Sequence, residues 1–126
     1  MSSPFEIIGG EDKVKALVER FYDLMDLEPA YADLRRAHGT DLARARQNLF
    51  WFLCGWLGGP PHYESRFGHP RLRARHLPFV IGTKERDQWL ACMDQAMGEV
   101  GVDESLREKL RESFFQTADW MRNTPG

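Results

Sequence analysis

The chain has 126 residues, a formal charge of −2, and 42% apolar against 29% charged residues. That length suits one ordinary domain spanning residues 1–126 rather than two, and the balance is that of a soluble globular protein. The slight negative charge excludes a protein whose main work is neutralising nucleic-acid phosphates. No apolar run approaches the roughly 20 residues that span a bilayer, so no membrane role is expected. Met1-Ser2-Ser3-Pro4 lacks the basic-then-apolar layout of an export signal, so the expected compartment is the cytoplasm. Cys54 and Cys92 are too few for a disulfide framework and are expected as free, buried thiols. Four Trp and eight Phe are generous for so small a core and hint at a flat apolar ligand.

In chain order, Ser3 followed by Pro4 predicts a capped short helix closed by Gly9-Gly10. From Glu11 to Met25 the residues Val14, Leu17, Val18, Phe21, Tyr22 and Met25 draw one helical stripe. Pro29 opens a short piece that runs to about Arg36. His38-Gly39-Thr40 reads as a corner, with Thr40 as the next N-cap. Leu42, Ala45, Leu49, Phe52, Leu53 and Trp56 follow at helical spacing, and Gly58-Gly59-Pro60 breaks the helix. Residues 58 to 69 are expected as loop. Pro70 opens a short helix through His76, which Pro78 stops. Thr83 is the expected cap of a helix bearing Trp89, Leu90, Met93, Ala96, Met97 and Val100. Asp103 is the expected cap of the last, with Leu106, Leu110, Phe114, Ala118 and Met121 inward. With no alternating strand pattern, the fold class is all-α.

No Gly-x-Ser-x-Gly, phosphate loop or Gly-x-Gly-x-x-Gly is present, and the acidic residues fall on polar faces. Chemistry therefore rests on four histidines. His62, His69 and His76 are spaced by seven, but Gly68 and Pro70 interrupt any shared helix, so a three-histidine metal site is not expected. His69 reads as a turn residue and His62 as an exposed one. His76 follows Leu72 by four and is followed by apolar Leu77, Phe79, Val80 and Ile81, with Arg73 and Arg75 beside it. A neutral imidazole against an apolar wall suits an axial ligand of haem iron, and guanidinium groups suit haem propionates. A core histidine with a satisfied hydrogen bond fits the spacing as well.

The run Gly68-His69-Pro70-Arg71-Leu72-Arg73-Ala74-Arg75-His76-Leu77-Pro78-Phe79 is specific. Together with Phe21-Tyr22, Trp56-Leu57-Gly58-Gly59-Pro60-Pro61, Tyr63 and Glu85 to Met93, it resembles the group II truncated haemoglobins. These are small globins built as a two-over-two helical sandwich enclosing haem. The resemblance implies haem b, with His76 as the iron ligand and no covalent attachment. It implies Tyr22 and Trp89 as hydrogen-bond donors on the distal side. It also places Arg75 and Tyr63 at the propionates, with Leu72, Phe52, Phe79 and Leu49 packed on the haem. Ala45 stands where many larger globins keep a distal histidine. His38 stands where relatives often have Tyr or Phe, either as an exposed corner residue or turned inward beside Tyr22.

The resemblance implies a globin that binds O2, and also CO or NO, reversibly at ferrous iron and releases O2 slowly. A haem-dependent NO dioxygenase or peroxidase-like enzyme served by a reductase is the alternative, and a non-haem helical interaction module is the remaining one. The chain is compatible with a monomer or a homodimer.

Overall fold

In the computed structural model, which describes residues 2–71, 74, 76 and 81–123, the chain is helical with no strand among the described residues. Helix α1 (Pro4–Ile8) starts as expected, with the Ser3 hydroxyl accepting from the Glu6 backbone N–H at 3.2 Å. Gly9 then takes φ 119°, a left-handed conformation that costs glycine little, and the chain turns directly into α2 (Gly10–Leu27). The stripe read from the sequence is the buried face of α2: Val14, Leu17, Val18, Phe21, Tyr22 and Met25 are all inside, joined by Leu24. Full burial of a Leu or Phe side chain stabilises by about 1.5–3 kcal/mol, so this face dominates the helix's stability.

A 3-10 turn (Pro29–Tyr31) and α3 (Ala32–Ala37) carry the chain to the His38 corner. There follow α4 (Ala43–Trp56), α5 (His62–Phe67), α6 (Thr83–Glu99) and α7 (Glu104–Trp120). Helix α2 packs on both α4 and α6, and α6 packs on α7. The result is two helix pairs, α2/α4 and α6/α7, laid against each other. Helix α4 reaches the other pair through Trp56, which stacks on Phe114 with centroids 4.8 Å apart. No helix among the described residues is long and apolar enough to cross a membrane.

Three local expectations are corrected. Thr40 does not cap α4: the helix begins at Ala43, and the Asp41 carboxylate accepts from the Ala43 N–H at 2.9 Å. A carboxylate so close to the helix start meets the positive end of the helix dipole, which the neutral hydroxyl of Thr40, one residue earlier, does not match. Thr83 is the first helical residue and not the cap. Gly82 precedes it and donates its N–H to the Glu85 carboxylate at 2.8 Å. Residues 58 to 69 are not wholly loop, because α4 ends before Gly58-Gly59 and Pro61 then stands as the N-cap of α5, His62–Phe67. Asp103 caps α7 as expected, accepting from the Leu106 N–H at 3.2 Å.

Candidate functional site

A continuous series of ring contacts joins the two helix pairs. Tyr22 on α2 meets Phe21 at 5.0 Å, Phe21 meets Trp89 on α6 at 5.3 Å, and Trp89 meets Phe114 on α7 at 5.3 Å. Phe114 stacks on Trp56, which leads through Phe52 at 6.5 Å to Tyr63 on α5 at 6.4 Å. Phe52, Trp56 and Tyr63 line a cavity of about 410 Å³ together with Trp51, His69 and Arg71. Leu49, one turn before Phe52, is half-buried against the core.

Within this apolar setting stand a few polar groups. Tyr22 is 4% exposed, and its hydroxyl makes no hydrogen bond among the described residues. Burial raises its pKa, partly opposed by the nearby Arg46 guanidinium, so the phenol keeps its proton and remains a donor. The indole N–H of Trp89 likewise has no acceptor among the described residues. Tyr22 is buried and Trp89 half-buried, yet no fully buried side-chain polar atom among the described residues lacks a partner, so both donors keep access to open space that a guest can fill.

His38 turns inward. Its Nδ1 lies 2.9 Å from the Leu34 carbonyl oxygen, and its ring meets Tyr22 edge-on. A carbonyl only accepts, so Nδ1 carries the proton and Nε2 the lone pair. Burial lowers the His38 pKa. The bond to Leu34 opposes this, while His76 and Arg35 act in the same direction as burial. His76 is therefore within electrostatic reach of His38, and the imidazole at the corner is neutral.

His76 itself is helical and half-buried. Asn123, beyond the end of α7, holds its segment: Asn123 Nδ2 donates to the His76 carbonyl at 3.2 Å. The Asn123 side-chain carbonyl accepts from the Ile81 N–H at 3.0 Å, and the Asn123 N–H donates to the Ile81 carbonyl at 2.9 Å. Leu72, Arg75 and Phe79, expected from the sequence at the same site, lie outside the described residues.

Sequence reasoning overlooked the residues that hold this arrangement. Arg46 on α4 pairs with Asp23 at 2.9 Å and Glu19 at 3.1 Å on α2, and its guanidinium sits 5.7 Å over the Tyr22 ring. Gln88, next to Trp89, accepts from the Leu34 N–H at 3.0 Å and donates to Asp33 at 2.9 Å, tying the His38 corner to α6. Phe114 reads as ordinary core from its stripe, yet it is the ring between Trp89 and Trp56. His69 turns the chain as expected, its Nδ1 accepting from the Arg71 N–H at 3.0 Å. His62, by contrast, is not a free surface residue; it is half-buried and paired with Glu11.

Apolar rings, two donors without acceptors and an imidazole within reach of the corner fit a flat apolar macrocycle with a metal at its centre. Comparison with known proteins agrees. Residues 3–123 match the family model of the bacterial-like globins. The group 2 truncated haemoglobin YjbI of Bacillus subtilis is 40% identical over 122 residues, covering 97% of this chain and 89% of that one. Among solved structures, a group II two-on-two haemoglobin from Agrobacterium tumefaciens superposes with a TM-score of 0.95 at 40% identity, covering 100% of this chain and 97% of its own. A cold-adapted truncated haemoglobin from the Antarctic bacterium Pseudoalteromonas haloplanktis gives 0.93 at 43% identity, covering 98% and 99%.

Proposed function

The chain belongs to the bacterial-like globin family as a haem-binding globin of the group 2 truncated type, and on that premise we propose that it binds O2, CO and NO reversibly, with His76 as iron ligand. Haem b, when bound, supplies an iron with an open coordination position for a diatomic molecule. The observation that carries the reading is the pair of donors, the Tyr22 hydroxyl and the Trp89 indole N–H, with no acceptor among the described residues.

Donors already held in place in an apolar setting act most strongly on a guest that draws negative charge, because little need reorganise around it. O2 is such a guest and CO much less so. Tyr22 keeps its proton because burial disfavours the phenolate. Arg46 and Gln88 hold the elements that carry Tyr22, His38 and Trp89. Neutral His38 presents a lone pair at Nε2, so it is an acceptor beside Tyr22 until it takes up a proton. Phe52, Leu49 and Tyr63 would give the macrocycle an apolar wall, and the Tyr63 hydroxyl would serve its polar edge.

Visible absorption of the ferrous protein tests this. The haem bands are expected to switch as O2 is admitted and to return when it is removed. A colourless protein, or irreversible oxidation on first exposure to O2, overturns the reading. Steady conversion of NO to nitrate with a supplied reductant favours the enzymatic alternative.

A further inference from the structure

Outside the haem slot, three ligating side chains from three helices converge. Glu11 is the second residue of α2, Cys54 lies two residues from the end of α4, and His62 is the first residue of α5. The thiol sulfur, an imidazole nitrogen and a carboxylate oxygen all lie within 4.8 Å of one another. His62 Nε2 already pairs with Glu11 Oε1, and the imidazole stacks on Phe50 with centroids 6.3 Å apart and planes 21° apart. Both contacts aim the ring before any ion arrives.

We propose that Glu11, Cys54 and His62 form a binding site for a borderline-soft divalent cation, zinc in its chemistry, completed by water as fourth ligand. The donor set decides the class. One sulfur, one nitrogen and one oxygen suit tetrahedral zinc, whereas magnesium and calcium require oxygen-rich shells. The spacing suits it too. A point no more than about 2.8 Å from all three atoms exists, and side-chain shifts of up to about 0.8 Å bring it to the roughly 2.0–2.3 Å of zinc bonds.

The same residues do not make a nucleophilic Cys–His–carboxylate row. Cys54 is wholly buried, and burial, with the Glu11 carboxylate adding to it, pushes its thiol up to about 11. A nucleophile needs an accessible thiol with a lowered pKa. A divalent cation favours the thiolate directly. It forms a bond to sulfur as the thiol proton leaves to solvent, and its charge offsets the Glu11 carboxylate. It also accepts the His62 lone pair, and no electron is transferred. The partly exposed Glu11 and His62 side chains give it a way in. Once bound, the ion ties the start of α2 to the α4–α5 turn.

Titrating the haem-loaded protein with zinc chloride in chelator-free buffer tests the site, with bound zinc followed by equilibrium dialysis. One tight ion per chain is expected, not displaced by a hundredfold excess of magnesium. His62→Gln and Glu11→Gln, both at partly exposed positions, should each weaken it at least about tenfold, the lower end of what losing even an outer-shell partner costs. Their haem spectra should stay unchanged. Zinc K-edge absorption fine structure should contain one sulfur at about 2.3 Å. Undiminished binding in both variants, displacement by magnesium, or a shell without sulfur would overturn the proposal. Cys54→Ala should abolish the sulfur signal, and should that variant fail to fold, the other two variants and the fine structure still decide.

Discussion

The His38 imidazole meets the Tyr22 ring edge-on, with centroids 5.8 Å apart and planes at 81°. The contact places the imidazole of the α3–α4 corner beside a buried phenol. Because the His38 pKa is lowered in the folded chain, chiefly by burial, the unfolded chain takes up the proton first, near pH 6.5. The contribution of His38 to stability is therefore complete above about pH 6.5 and is lost as pH falls through the folded value. Protonation also turns Nε2 from an acceptor into a donor next to Tyr22. His38→Phe should have an O2 release rate that is flat below pH 6.5, where the parent's changes. Its thermal midpoint should fall less with acid. Identical profiles in variant and parent would assign His38 no part in ligand control.

Trp89→Phe and Tyr22→Phe each remove one donor while keeping most of the ring. A hydrogen bond to a charged acceptor contributes about 1.5–3 kcal/mol, so O2 release should speed up roughly ten- to a hundredfold in either variant. CO release should change much less. Both donors act on one guest, so the double variant should be non-additive. Stopped-flow release of both gases is the measurement, and equal acceleration for O2 and CO would point to sterics instead.

His76→Ala should lose haem sharply while retaining helical circular dichroism, and free imidazole should partly restore the visible bands. A variant that purifies with full haem and an unchanged ferrous spectrum would remove His76 from the iron.

Among the described residues, Asn123→Ala deletes the side-chain hydrogen bonds to the His76 carbonyl and from the Ile81 N–H. At about 0.5–1.5 kcal/mol each, the loss should be about 1–3 kcal/mol, read in thermal or denaturant unfolding. Haem transfer to apomyoglobin should also quicken, because the His76 segment loses its anchor to the end of α7.

Gly59→Ala should destabilise without touching the haem spectrum. A Cβ at Gly59 would lie 2.5 Å from the Phe5 ring, where α1 closes over the exit of α4. Overpacking of this kind costs about 1–3 kcal/mol, so the denaturant midpoint should drop while the absorption bands stay where they are.

The sequence by itself determined the helices whose information is local. The stripe from Val14 to Met25 and the caps at Ser3 and Asp103 depend on residues three or four apart, and periodicity and capping report such distances directly. The run ending in His76-Leu77-Pro78-Phe79 likewise marks the family by contiguous residues. The remaining features join residues far apart in the chain. Helix α5 buries only Tyr63, so no stripe announces it. His62 meets Glu11 across 51 positions, and Asn123 holds His76 across 47. Tyr22 and Trp89 sit on stripes where packing alone would account for them. Folding left their donors without partners among the described residues, and it set the His38 tautomer through the Leu34 carbonyl. Long-range hydrogen bonds leave no period in a sequence, because they depend on which faces meet after the helices have formed.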